Sequence, residues 1–125
     1  MNPSPSLYQR LGGYDVIAAV IDDLLGLMRN DPAFERFQTG RSLDSRTRTR
    51  QLIVDQFCSL SGGPCLYTGR DMRTSHAGLS ISGAEWEANL KHAAAALDKN
   101  HVPAAEKAEF LALFERYRSE IVEKP

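Results

Sequence analysis

Apolar residues recur along this chain at the three-and-four spacing of amphipathic helices, and alternation of the strand kind is weak. Val16, Ile17, Val20, Ile21, Leu24, Leu25 and Met28 form the clearest run. It begins after Gly12-Gly13 and ends at Asn30-Asp31-Pro32, where proline resists continuation and suits the first position of a new helix. Asp31 is the expected cap of a short helix through Phe34 and Phe37. Residues 38–45 read as a loop, with Asp44 or Ser45 capping the next helix. That helix extends to about Ser61, with Ile53, Phe57 and Leu60 facing inward and Thr49 near its start; Gly62-Gly63-Pro64 stops it.

The next helix start is Ser82-Gly83-Ala84-Glu85, a capping box. Trp86, Leu90, Ala93, Ala94 and Leu97 make its apolar face, and it ends near Asn100-His101. Pro103 opens a last helix presenting Phe110, Leu113, Phe114, Tyr117 and Ile121. The pattern predicts an all-α fold of four substantial helices and two or three short ones. Gly62 to Ser82 is the irregular stretch, and a long loop inside a compact chain invites a functional reading. It contains His76. If this stretch is helical, Met72, His76 and Leu79 share one face, and an imidazole framed by apolar side chains suits a haem iron.

The remaining features narrow the field. The 125 residues are the usual size of one domain, and residues 1–5 read as a disordered tail. A net charge of −1 gives no general pull toward nucleic acid or an anionic membrane. No signal sequence and no apolar stretch of spanning length is visible, so a cytoplasmic protein is expected. In that compartment Cys58 and Cys65, which flank the glycine turn, are expected as free thiols rather than a bridge. No zinc spacing, phosphate loop or nucleophile–base pair stands out. Arg46, Arg48 and Arg50 alternate through a helix start and read as a solvated face rather than an anion site. Taken alone, His76 reads as a polar residue on a short surface helix and Trp86 as core.

Several landmarks in fixed order change that picture. They are Leu7-Tyr8-Gln9-Arg10-Leu11-Gly12-Gly13, Asp22-Asp23-Leu24-Leu25, Ser61-Gly62-Gly63-Pro64, Tyr67-Thr68-Gly69-Arg70-Asp71-Met72, His76 with Gly78 and Ile81, Ala96-Leu97, and Val102-Pro103. With these, nearly the whole chain resembles the truncated haemoglobins, most closely group I. The resemblance implies a globin-like two-over-two helical sandwich around haem b, with His76 as the proximal iron ligand. Met72, Ile81 and Trp86 would line the proximal side or haem edge, Phe57 would stand at a ligand tunnel, and Arg50 and Arg73 are candidates for the propionates.

On the distal side the chain departs from the family pattern. Leu25 stands where many members have tyrosine, and Thr49 and Ile53 stand where glutamines are usual. Gln38, beside Phe37, replaces the stacking phenylalanine, and Asn89 occupies the distal position after His76. The loop from Gln38 to Thr49 is longer than usual. Dioxygen on ferrous haem carries partial negative charge, which a buried donor stabilises by about 1.5–3 kcal/mol. A pocket walled by Leu25 and Ile53 is therefore expected to be unusually apolar and to hold oxygen weakly relative to carbon monoxide. Gln38, Thr49 or Asn89 could supply a donor. His92 and His101 do not fall on the helix that supplies a distal histidine, so five-coordinate ferrous iron, or water on ferric iron, is expected.

The implied function is reversible binding of oxygen, nitric oxide or carbon monoxide for storage, transport or sensing. A haem enzyme on the same scaffold, a nitric oxide dioxygenase or peroxidase-like protein, is the alternative; a haem-free helical interaction module is a third reading. The expected partners are the gas and an electron-donating reductase, without nucleic acid or membrane, and the chain is expected as a monomer or weak dimer.

Overall fold

The computed structural model describes residues 4–124, so the expectation for residues 1–3 of the tail lies outside it. Seven α-helices and one 3₁₀ segment follow in order: α1 (Leu7–Leu11), α2 (Tyr14–Arg29), the 3₁₀ segment (Pro32–Phe37), α3 (Leu43–Leu60), α4 (Met72–His76), α5 (Gly83–Lys99), α6 (Ala104–Glu115) and α7 (Arg118–Ile121). The described residues contain no strand, only an isolated bridge between Ser82 and Lys124. Helix α2 packs on α3 and α5, and α5 packs on α6. Two helices over two make the sandwich.

The long apolar stripe of α2 supplies its centre. Ile17, Val20, Ile21 and Leu24 are buried there with Ala93, Ala96 and Leu97 of α5 and Phe110 of α6. Burying one such aliphatic side chain stabilises the fold by about 1.5–3 kcal/mol. The ring of Phe57 stacks on Phe110 at 5.0 Å and meets Phe114 at 4.4 Å, joining α3 to α6. Lys99 and Asn100 both bind Asp23, at 3.1 and 2.8 Å, and fasten the end of α5 to α2. Those two donors hold the Asp23 carboxyl below the ordinary carboxylate range, Asn100 contributing more.

Two turns depend on glycine. Gly12 lies at φ 107°, and a Cβ there would come within 2.9 Å of Val16. Gly62 lies at φ 96°, and a Cβ would meet Ser6 at 2.9 Å. Both φ values belong to the left-handed region that side chains make costly. Gly62 also lets the chain close on the start of α1, where Tyr8 N–H donates to the Ser61 carbonyl at 2.8 Å.

Five expectations are corrected. The cap of α3 is Ser42, whose hydroxyl accepts from Ser45 N–H at 3.0 Å; Asp44 lies inside the first turn. Helix α4 ends at His76, so Leu79 follows in a turn and does not share its helical face. The deepest burial on α3 falls on Val54, Gln56, Phe57 and Cys58, while Ile53 and Leu60 pack against the core only half-buried. The last helix breaks at Arg116-Tyr117 into α6 and α7. Cys58 and Cys65 form a disulfide, with Cα atoms 5.7 Å apart. The Gly62-Gly63-Pro64 turn returns the chain over the last turn of α3, where Gly63 N–H donates to the Cys58 carbonyl at 2.8 Å. That reversal brings the sulfurs together.

Candidate functional site: a cavity beside His76

A cavity of about 1180 Å³ opens between α2, the 3₁₀ segment, α3, the segment around α4 and the start of α5. It is somewhat larger than the usual range of about 300–1,000 Å³ for small-molecule and cofactor sites. Of the residues singled out in the sequence, His76, Met72, Ile81, Trp86, Phe57, Phe37, Arg50, Leu25, Gln38, Thr49, Ile53 and Asn89 all line it. Arg73 does not; it is exposed and outside the lining. His92 and His101 also stand outside the lining. The His92 ring binds Asp31 at 2.7 Å and lies against Phe34, and with Ala33 N–H it holds the Asp31 carboxyl below its usual range.

His76 is oriented by its own helix turn. Asp71 caps α4 by accepting from Thr74 N–H at 3.2 Å. One turn on, the His76 Nδ1 lies 2.9 Å from the Met72 carbonyl and 2.8 Å from the Ser75 hydroxyl. The Met72 contact is a hydrogen bond when the ring proton sits on Nδ1, whereas the Ser75 hydroxyl can pair with either tautomer. With the proton on Nδ1, Nε2 carries a free lone pair, the arrangement of an imidazole that binds a metal through one nitrogen while the other is held by a backbone carbonyl.

The loop after His76 is held from two directions. Glu123 accepts the N–H groups of Gly78 at 3.2 Å and Ser80 at 2.8 Å, which keep its carboxyl below the ordinary range. Ser80 sits at φ 53°. Arg36 donates to the Leu79 carbonyl at 2.6 Å and the Ser80 carbonyl at 3.3 Å, and pairs with both Glu85 oxygens. Neither Arg36 nor Glu123 stood out in the sequence. Their partners lie more than forty positions away, beyond any local pattern.

The opposite wall combines apolar and polar groups. Leu25 and Ile53 are half-buried there. Thr49 Oγ1 accepts from Arg41 at 2.5 Å. Gln56, another residue absent from the sequence reading, is only 7% exposed. It follows Thr49 and Ile53 at helical spacing, the signal by which it could have been found. Trp86 is both core and wall: 3% exposed, with its indole N–H toward Glu115 at 3.3 Å.

Six arginines reach the cavity: Arg29, Arg36, Arg41, Arg46, Arg50 and Arg70. Arg36 pairs with Glu85 and Arg50 with Asp22. The other four form no salt bridge among the described residues. Arg46 has a buried Nε with no partner, which corrects the reading of all three α3 arginines as a solvated face. Arg48 fits that reading, being 72% exposed beside Asp44. A flat apolar cofactor with carboxylate arms and a metal at its centre fits this donor set. The orphaned guanidinium suits a carboxylate, the apolar walls suit the ring, and Nε2 suits the metal.

Comparison with known proteins agrees with this architecture. A family model described as "Bacterial-like globin" matches residues 6–123. The chain is 25% identical to a group 1 truncated haemoglobin of Tetrahymena pyriformis, over 99% of this chain and all of that one. It is 30% identical to a group 1 truncated haemoglobin of Mycolicibacterium paratuberculosis, over 85% of this chain and 76% of the relative. Among solved structures, the Tetrahymena pyriformis truncated haemoglobin in its Fe(III) form superposes with a TM-score of 0.86 at 23% identity, covering 96% of this chain and 100% of that one. A 2/2 haemoglobin from Synechococcus gives 0.84 at 19%, covering 96% and 100%. A helical sandwich of this topology, matched along almost its whole length, makes the chain a member of the bacterial-like globin family, among the truncated haemoglobins and most similar to group 1.

Proposed function

We propose that this chain holds haem b in the cavity through His76 Nε2 and reversibly binds a diatomic gas on the opposite face. The observation that carries the reading is that His76 lines the cavity with its Nδ1 edge turned to the Met72 carbonyl at 2.9 Å, an arrangement that would leave Nε2 for the iron. Membership of a globin family implies the cofactor. Haem, when bound, supplies the iron at which the gas is held.

The remaining roles belong to the chain. Met72, Ile81 and Trp86 pack the proximal side and exclude water. Arg46, with Arg50 and the neighbouring guanidinium groups, answers the propionates. Phe57, held between Phe110 and Phe114, stands on a gas route. Leu25 and Ile53 make the distal wall apolar, so oxygen held on a haem there would leave quickly relative to a pocket that carries a tyrosine. With His92 engaged by Asp31, His76 is the single imidazole lining the cavity among the described residues, so haem iron held by it would meet no second histidine there. The proposed partners are the gas and an electron-donating reductase, and the proposed setting is the cytoplasm. No helix among the described residues is long and apolar enough to cross a membrane.

An absorption spectrum of the purified protein tests this directly. A Soret band with a five-coordinate ferrous signature is expected, and His76→Ala removes the iron–imidazole Raman stretch and weakens haem retention. A colourless protein that takes up no added haemin overturns the reading; an unchanged stretch in the variant assigns the ligand to another residue.

A further inference from the structure

Among the described residues two polar residues are buried, Gln56 and Ser61. Ser61 is satisfied: its hydroxyl donates within α3, with the Phe57 carbonyl at 2.7 Å and the Cys58 carbonyl at 3.0 Å. Gln56 is different. It is 7% exposed, it lines the cavity, and its amide makes no hydrogen bond to any described residue. The one fully enclosed side-chain polar atom without a partner among the described residues is Arg46 Nε, so the Gln56 amide keeps an opening, on the side where its residue lines the cavity. A fold that keeps such a group against a cavity wall has it aimed at whatever fills the cavity.

Position supports this. Gln56 follows Thr49 by seven residues and Ile53 by three, so the three share one face of α3 and line the same wall. The other polar residues of that wall are less available or less dry. Thr49 Oγ1 is engaged by Arg41. Gln38 and Asn89 are half-exposed, so water can satisfy them. Among the described residues Gln56 is the most buried uncharged polar residue at the cavity, so a hydrogen bond made there meets little competition from solvent.

From this, and resting on the haem reading of the cavity, we infer that Gln56 is the specificity-determining donor of the pocket. Its amide N–H₂ hydrogen-bonds a diatomic ligand that carries partial negative charge, which favours dioxygen over the less polar carbon monoxide. The distal side is thus apolar at Leu25 and Ile53 yet holds one concealed donor deeper along α3, at a position the family comparison of distal residues does not point to.

The test uses the haem-loaded protein and two variants, Gln56→Leu and the straighter Gln56→Met, which between them guard against a packing artefact. Oxygen and carbon monoxide dissociation are measured by stopped flow, with the Soret band confirming haem in each sample. Loss of a buried hydrogen bond to a charged partner corresponds to about tenfold or more. Oxygen should therefore leave about tenfold faster in both variants, with carbon monoxide changed less than about twofold. The C–O stretch of the carbon monoxide complex should move to higher frequency. Unchanged oxygen dissociation in both variants overturns the inference. So does an equal rise for both gases, which would make Gln56 a packing residue only. A wild-type protein with no Soret band would instead bring down the haem reading, and this inference with it.

Discussion

The Glu123 carboxylate accepts the backbone N–H of Ser80 at 2.8 Å, across 43 positions of sequence. With the second bond from Gly78, it pins the turn that follows His76 to the C-terminal segment. The same segment continues the tie, since Glu123 and Lys124 N–H both donate to Ile81, at 2.9 and 3.1 Å. The folded carboxyl titrates below its ordinary value near 4.5, so its contribution is present above that value and is lost as pH falls through the lower folded value. Glu123→Gln should lower stability at neutral pH and flatten the acid limb of the stability–pH profile below about pH 5, so that variant and wild type converge in acid. Denaturant titrations at stepped pH check this; superimposable profiles would show that the contact carries no linkage.

Leu25 should set the baseline rate of oxygen release. Leu25→Tyr introduces a hydroxyl where the cavity wall is apolar, and a charge-assisted bond to dioxygen should slow dissociation by about ten- to hundredfold. Stopped-flow dissociation measures it. An unchanged rate would mean that residue 25 does not face the gas.

Arg46 is expected to act on the cofactor. Its orphaned Nε makes it costly to the haem-free protein and useful to a propionate. Arg46→Leu should speed haem transfer to excess apomyoglobin by up to about tenfold. The haem-free variant should be no less stable than the wild type. Equal transfer rates would remove Arg46 from the propionate site.

The Cys58–Cys65 bridge closes a short loop, for which chain entropy gives about 2 kcal/mol of stabilisation. Thiol titration of the unfolded, unreduced protein should find almost no free thiol. Replacing both cysteines with alanine should lower the melting temperature by several degrees. Two titratable thiols in freshly extracted protein would show that the bridge is absent in the cell.

Much of the fold could be read before any coordinates. Helix α2 and the capping box of α5 announce themselves through periodicity and Ser82–Glu85 chemistry, and local rules decide both. His76 and Met72 were reachable because glycine and proline landmarks fixed their register. The capping of α3 was misread because Ser42 sits in the lengthened loop, where one acceptor looks much like another. The cysteine pair was read from compartment, whereas the tight turn decides the geometry. Gln56 hid inside a helix whose inward face was assigned from apolar residues alone. Arg36 and Glu123 act across the fold, and no window of sequence contains both ends of their bonds.

Arg36 has a wider consequence. One guanidinium spans the 3₁₀ segment that leads to Phe37 and Gln38, the carbonyls of the turn beyond His76, and the first turn of α5. The two faces of the cavity therefore share a strut. A ligand that displaces Phe37 or Gln38 would pull on the same side chain that steadies the His76 turn. One side chain, within a single chain, thus ties both sides of the pocket together.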